Sequence, residues 1–163
     1  MSIRNRIVVA SGLALVVLAV GLVCCLRTPS EGAAAAVPQV PVGLRVLSEW
    51  DRLRSEAYAS GDVAALRALY ASGSATGRRD VELLRAYADR GLSVREMRMQ
   101  VLACEVRFAS AQRLRLVVTD RLQGAVVAGV RLPVDRASRR VVTFVRPGGR
   151  WVVAEVSAAA PRR

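Results

Sequence analysis

Asp51, Tyr58 and Asp120 are the residues of this 163-residue chain whose types could carry chemistry together. A carboxylate in an apolar setting can act as a general base, and a phenol can donate to the oxyanion that forms. Asp51 and Tyr58 are seven residues apart, nearly on one side of a helix, and Asp120 closes a strand-like run. The bland reading is strong. Asp51 is flanked by Arg52 and Arg54, and Asp120 by Arg121. A neighbouring cation favours the ionised carboxylate and lowers its pKa, away from the near-neutral value that a base needs. Tyr58, Tyr70 and Tyr87 all fall at helical spacing, where a phenol often packs at the core edge with its hydroxyl wet.

The rest of the chemical inventory is thin. With no His, the chain has no imidazole base, no His-based triad and no His metal site. Three Cys do not make a tetrahedral zinc site. Cys104 stands alone in a strand pattern as a small core residue. Cys24 and Cys25 sit at the end of an apolar run, where they are apolar positions or could link tethered copies through disulfides. Gly148-Gly149 is a hairpin turn, and no glycine-rich phosphate loop is present. Neither a metal nor a cofactor is expected, and hydrolase activity is not expected either.

All 25 basic residues are Arg, against 13 acids, for a net charge of +12. Abundant Ala, Val, Gly and Leu with no Lys is GC-rich codon usage, so part of the Arg content is genomic background. Arg78, Arg79, Arg136, Arg139 and Arg140 could form an anion-facing rim, the alternative being solvated charge.

Location is written more clearly than chemistry. Residues 7–26 carry no charge, and Arg4 and Arg6 precede them. A helix of that length spans roughly 30 Å, the thickness of a bilayer core. The run is longer than a secretory h-region, and the small residues after it lie too far on for ordinary cleavage. Val23 before Cys24 is a poor lipobox. The reading is an uncleaved anchor, with cleavage and lipidation as alternatives. The basic excess on the N-terminal side puts residues 1–6 in the cytoplasm and residues 27–163 outside, in a single-pass cell-membrane protein. With Arg4 and Arg6 set aside, 23 Arg face 13 acids outside, an excess of ten. Such a domain is drawn to anionic headgroups or wall polymers, and its location argues against nucleic acid.

Residues 27–42, with three Pro, form a semi-stiff linker. Residues 43–156 suffice for one domain, and 157–163 form a tail. Leu44, Leu47, Trp50, Leu53 and Ala57 recur at helical spacing. Asp62 caps a short second helix through Leu66, Leu69 and Tyr70, ended by Ser72-Gly73-Ser74. Thr76 can cap a third, with Val81, Leu84, Tyr87 and Ala88 on one side and Gly91 past its end. The apolar period then changes to two. Strands are expected at Val94–Phe108 with a bulge near 101–104, around Leu114 to Val118, at Ala125–Leu132, and as a hairpin of 139–146 and 150–156. The expected core includes Leu47, Trp50, Leu53, Leu66, Leu84, Tyr87, Leu116, Val118, Phe144 and Trp151. This is an α+β order: about three helices packed on a curved antiparallel sheet, behind an N-terminal transmembrane helix.

Trp50-Asp51, Tyr58-Ala59-Ser60-Gly61-Asp62, Leu66 and Leu69-Tyr70 resemble the opening helices of the nuclear-transport-factor-2-like cone fold. Gly149-Arg150-Trp151-Val152-Val153 is similar to its last strand. The anchor-plus-cone layout most resembles single-span exported proteins of GC-rich Gram-positive bacteria, among them the Mce-associated membrane proteins. The resemblance implies a sheet wrapped around a pocket roofed by helices, which some relatives use for isomerase, dehydratase or cyclase chemistry and others for binding or dimerisation.

Three functions are expected to compete. The first is a non-catalytic binding or accessory domain, anchored in the bilayer through residues 7–26 and serving a membrane or cell-envelope complex, with a homodimer through the sheet face as a further partner. The second is a small-molecule pocket enzyme using Asp51 or Asp120 with Tyr58. The third is a binder of anionic lipid or wall polymer through Arg.

Overall fold

The computed structural model describes residues 40–160. The expected span at 7–26, Cys24 and Cys25, most of the linker and the end of the tail lie outside them. Among the described residues no helix is long and apolar enough to cross a membrane.

Three helices lead the domain. Helix α1, Val42–Ser60, turns Leu47, Trp50, Ala57 and Tyr58 inward. Gly61 stops it at φ 69°, a left-handed conformation that costs glycine little. Asp62 then caps α2, Val63–Ala68, accepting from the N–H groups of Ala64 and Ala65. Helix α3 runs Ala75–Ala88. Its cap is Ser74, which accepts from the Gly77 N–H, and not Thr76. Thr76 lies one residue inside the helix, and its Oγ1 accepts from the Val156 N–H on the last strand.

The sheet follows: β1 Val94–Ala109, β2 Arg113–Val127, β3 Val130–Arg131, β4 Ser138–Val145 and β5 Val152–Ala158. It is antiparallel in the order β1-β2-β4-β5, with β3 pairing only with β2. The register of β1 slips between Val101 and Ala103, and again between Arg95 and Met99 and between Val106 and Phe108. Each slip adds bend and twist to the strand. The expected third strand at 125–132 is divided. Ala128 and Gly129 both have positive φ, at 50° and 81°, so the chain reverses there and only Val130–Arg131 pairs back. An apolar run alone does not reveal such a turn.

The core lies between the helices and one sheet face. Leu114, Leu116 and Val118 of β2, Val142 and Phe144 of β4 and Val153 of β5 are buried against Leu47, Trp50 and Leu66. Trp50 stands edge-on to Tyr70 and Phe144, with ring centroids 5.7 and 6.3 Å away, and its indole N–H donates to the Leu69 carbonyl at 3.1 Å. Leu53, Tyr87 and Trp151 pack against this core half-buried. The loop after α2 is fastened to β5 through Ala71 N–H to Val153 O and Val153 N–H to Leu69 O, both 2.9 Å.

Gly77 is where α3 meets this fastened loop. A Cβ there would lie 2.5 Å from both Cβ and Cγ of Tyr70. Alanine gains about 1 kcal/mol of helix propensity over glycine, while overpacking costs about 1–3 kcal/mol. Tyr70 cannot retreat without losing its backbone bridge, so the clash wins. Gly77→Ala is expected to lower stability by about 1–2 kcal/mol in urea denaturation; a gain would show that the loop yields freely.

Candidate functional site

Three aspartates reach the space between helices and sheet, and each meets a different fate. Asp80, on the buried side of α3, receives four donors. Arg54 of α1 grips it with both fork nitrogens, Nε to Oδ2 at 2.7 Å and Nη2 to Oδ1 at 2.6 Å. Tyr58 donates to Oδ1 and Tyr70 to Oδ2, both at 2.7 Å. Burial would raise the Asp80 pKa, but these donors and the Arg54 charge hold it below the ordinary carboxylate range. Burial pushes the two phenols up, and the adjacent Asp80 charge pushes them further. The guanidinium of Arg54 lies over the rings of Tyr58 and Trp50, 4.9 and 5.8 Å from their centroids.

Asp120 projects from the helix-facing side of β2 and is fully buried. Arg140, one strand over on β4, binds it through two nitrogens, Nε to Oδ1 at 3.1 Å and Nη2 to Oδ2. Asp51 on α1 feels the charges of both partners but is bonded to neither. Its Oδ1 is buried without a donor among the described residues. Burial raises its pKa to about 6, against the opposing charges of Arg140 and Arg54 and with help from Asp120. The expectation that neighbouring Arg would hold Asp51 low is therefore corrected. Arg52 turns outward to Glu49 and Glu56, and desolvation outweighs the rest.

Asp51 and Tyr58 thus stand on one helix without forming a pair, because the Tyr58 hydroxyl is taken by Asp80. An open cavity of about 250 Å³ lies at Asp80, lined among others by Trp50, Arg54, Tyr70, Arg79, Met99 and Arg140. Asp51 is not among the residues that line this cavity, although two of the arginines that do, Arg54 and Arg140, act on its charge.

The five rim arginines do not form one rim. Arg79 and Arg140 share the cavity just described. Arg78 lines a different one between α2 and α3, with Arg67 and Arg85. Arg139 pairs opposite Thr119 on the far face of the sheet, and its Nη1 donates to the Ala160 carbonyl at 2.7 Å. Arg136 is exposed in the loop before β4. Among the described residues no three His, Cys, Asp or Glu stand together as metal ligands. Cys104 is half-buried on β1, and burial raises its thiol pKa, which disfavours the reactive thiolate.

Among the described residues no helix lies over the sheet's other face. Arg113, Arg115, Val117 and Thr119 of β2 alternate onto it, with Val141 and Thr143 of β4. A trough of about 550 Å³ there is lined by Arg107, Arg113, Arg115 and Phe108, with Glu155 at its side. Phe108 is half exposed.

Three helices ahead of an antiparallel sheet of order β1-β2-β4-β5, bulged along β1, complete the pattern expected from the opening helices and last strand. The fold is nuclear-transport-factor-2-like. No protein-family model matches the chain, and no curated protein matches it in sequence. Among solved structures it is similar to the intermembrane space region of the chloroplast protein ARC6, at 15% identity and TM-score 0.51 over 76% of this chain and 100% of that one. It is also similar to Aln2 from a Streptomyces species, at 16% identity and TM-score 0.52 over 72% and 90%. An NTF2-like protein of unknown function in nutrient uptake from Rhodospirillum rubrum aligns at 20% identity and TM-score 0.46, over 70% and 98%. At these identities the likeness is one of fold.

Sequence reasoning missed Asp80 and Arg54, and so the pairing that takes up the Tyr58 and Tyr70 hydroxyls. One signal was available: Asp80 falls on the same helical stripe as Gly77, Val81 and Leu84, where a charge must find a partner. Arg54 follows Trp50 by four residues and so shares its inward side.

Asp51 makes stability depend on pH in a defined direction. Its pKa rises on folding, from 3.8 to about 6. Its contribution is therefore fully present below about pH 4 and is lost as pH rises through about 6. The groups facing it are Arg54 on its own helix and Asp120 and Arg140 on the sheet, and Asp80 is lowered and titrates below this window. The loss amounts to about 2–3 kcal/mol by about pH 8. Asp51→Asn is expected to abolish this slope between about pH 4 and 8, measured by urea denaturation at each pH. An unchanged slope would mean that Asp51 does not carry it.

Proposed function

We propose that this is a non-catalytic binding domain held at the outer face of the cell membrane by residues 7–26, serving a membrane or cell-envelope complex. The setting is a GC-rich Gram-positive bacterium, and the role is of the Mce-associated kind. One observation carries the reading: both phenols next to the interior carboxylates are locked on Asp80. An enolising or dehydrating enzyme needs a base and a donor that are free to face a substrate. Asp80 and Asp120 are each held by an arginine fork. The sheet face over which no described helix lies, with Arg107, Arg113, Arg115 and the half-exposed Phe108, offers a partner what the interior does not: an aromatic side chain among cations. A tether raises the local concentration of such a face without any chemistry.

The pocket-enzyme reading keeps one observation in its favour, the donor-free Asp51 carboxyl with a pKa near 6. The two readings separate by variant. Full-length protein solubilised from membranes is captured as wild type, as Arg113→Glu/Arg115→Glu and as Asp51→Asn. The charge reversal is expected to lower recovery of the co-purifying partner at least tenfold, with Asp51→Asn equal to wild type. If Asp51→Asn instead abolishes the biological effect while the fold and partner are retained, the domain is a pocket enzyme.

A further inference from the structure

The cavity between α2 and α3 belongs neither to the interior aspartates nor to the sheet face. Its volume is about 330 Å³. Arg67 comes from α2, and Arg78 and Arg85 come from α3, where a spacing of seven residues puts them on one side two turns apart. One acid, Glu82, lines the same space, and no carboxylate among the described residues lies within 4 Å of any of the three guanidiniums. The side chain of Arg78 is steadied by a 2.9 Å bond from Nη1 to the Gly73 carbonyl. Ser74 forms part of the wall and is buried, at 7% exposure. Its oxygen accepts from the Gly77 N–H at 3.1 Å, which fixes the hydroxyl, while its own proton has no acceptor among the described residues.

Three cations against one acid leave the cavity net positive along α3, with Arg78 near its first turn, Arg85 in its last, and Arg67 opposite them on α2. Planar guanidinium forks, with a fixed hydroxyl at the cavity's Ser74 end, match an oxyanion with several acceptors, and a phosphoryl group presents three or four. From these residues we propose that the α2–α3 cavity is a phosphoryl-binding site, held by Arg67, Arg78, Arg85 and Ser74. Glu82 on the same wall favours a group that still carries a proton or an ester over a fully ionised one. The space beyond one phosphoryl group accommodates what it esterifies, either a lipid glycerol or a soluble alcohol.

Full-length protein in neutral detergent is titrated calorimetrically with inorganic phosphate at constant ionic strength. Saturable binding is expected, weakened at least tenfold in Arg67→Gln/Arg85→Gln. Arg95→Gln/Arg136→Gln removes the same charge from exposed positions outside the cavity and is expected to stay within twofold of wild type. Competition by glycerol 3-phosphate and by short-chain phosphatidylglycerol then identifies the source. Stronger competition by the first marks a soluble ester, and stronger competition by the second a lipid headgroup, both on the same site. Failure to saturate, or equal weakening in the two double variants, overturns the proposal. Unchanged thermal midpoints in both variants exclude unfolding as the cause, since all four arginines are exposed. Partner capture through Arg113 and Arg115 can fail without affecting this result.

Discussion

The carboxylate of Asp80 is the point on which the helical layer depends. Its four donors come from α1 and from the end of the α2 segment, so one charge holds all three helices in fixed register. A carboxylate with this many donors resists protonation and also resists displacement, because removing it would leave a buried guanidinium without a counter-charge. Breaking such a pair from one side is strongly destabilising, although replacing it whole by apolar groups need not be. The network thus ties the three helices to one arrangement. Tyr70 makes this concrete. Its ring packs against Trp50 and Gly77, its hydroxyl serves Asp80, and its backbone bridges to Val153.

The same residue type behaves in opposite ways within this interior because the number of donors differs. Asp80 has four and is held charged. Asp51 has a carboxyl oxygen with none, and burial raises its pKa to about 6 despite two arginines nearby. Proximity of opposite charge in sequence was a poor guide. Arg52, adjacent to Asp51 in the chain, lies on the outer side of α1 with Glu49 and Glu56, while the cations that matter arrive from three residues on and from strand β4. A helix rotates neighbouring side chains by about 100°, so the next residue in sequence is seldom the partner in space.

That geometry explains how much was legible beforehand. The change of apolar period near Gly91 marks helices before it and strands after it, and Leu47, Trp50, Leu66, Leu116, Val118 and Phe144 are core because they hold those phases. A cap at Asp62 and a helix stop before Gly91 are local events, written in two or three residues. Ladder partners are not local. Nothing near Asp120 announces Arg140, which reaches it only because β2 and β4 pair with Val118 opposite Arg140. Nothing near Tyr58 announces Asp80, 22 residues away across two turns. The turn at Ala128-Gly129 was hidden for a different reason: an apolar alanine there adopts a positive φ that its type disfavours.

The triplet Arg78-Arg79-Asp80 carries the fold's logic into its surface. Three consecutive helical positions point in three directions, and each meets a different environment. Arg78 faces the α2–α3 cavity, Arg79 the mouth shared with Arg140, and Asp80 the core. The two cations are therefore aimed by the buried anion beside them. Were α3 free to rotate by one residue, Arg78 would leave its cavity, and a charge would face Val81's side of the core. The Arg54 fork and the two phenols forbid that rotation. A network that looks purely structural thereby fixes where positive charge is presented, and interior and surface are set by a single constraint.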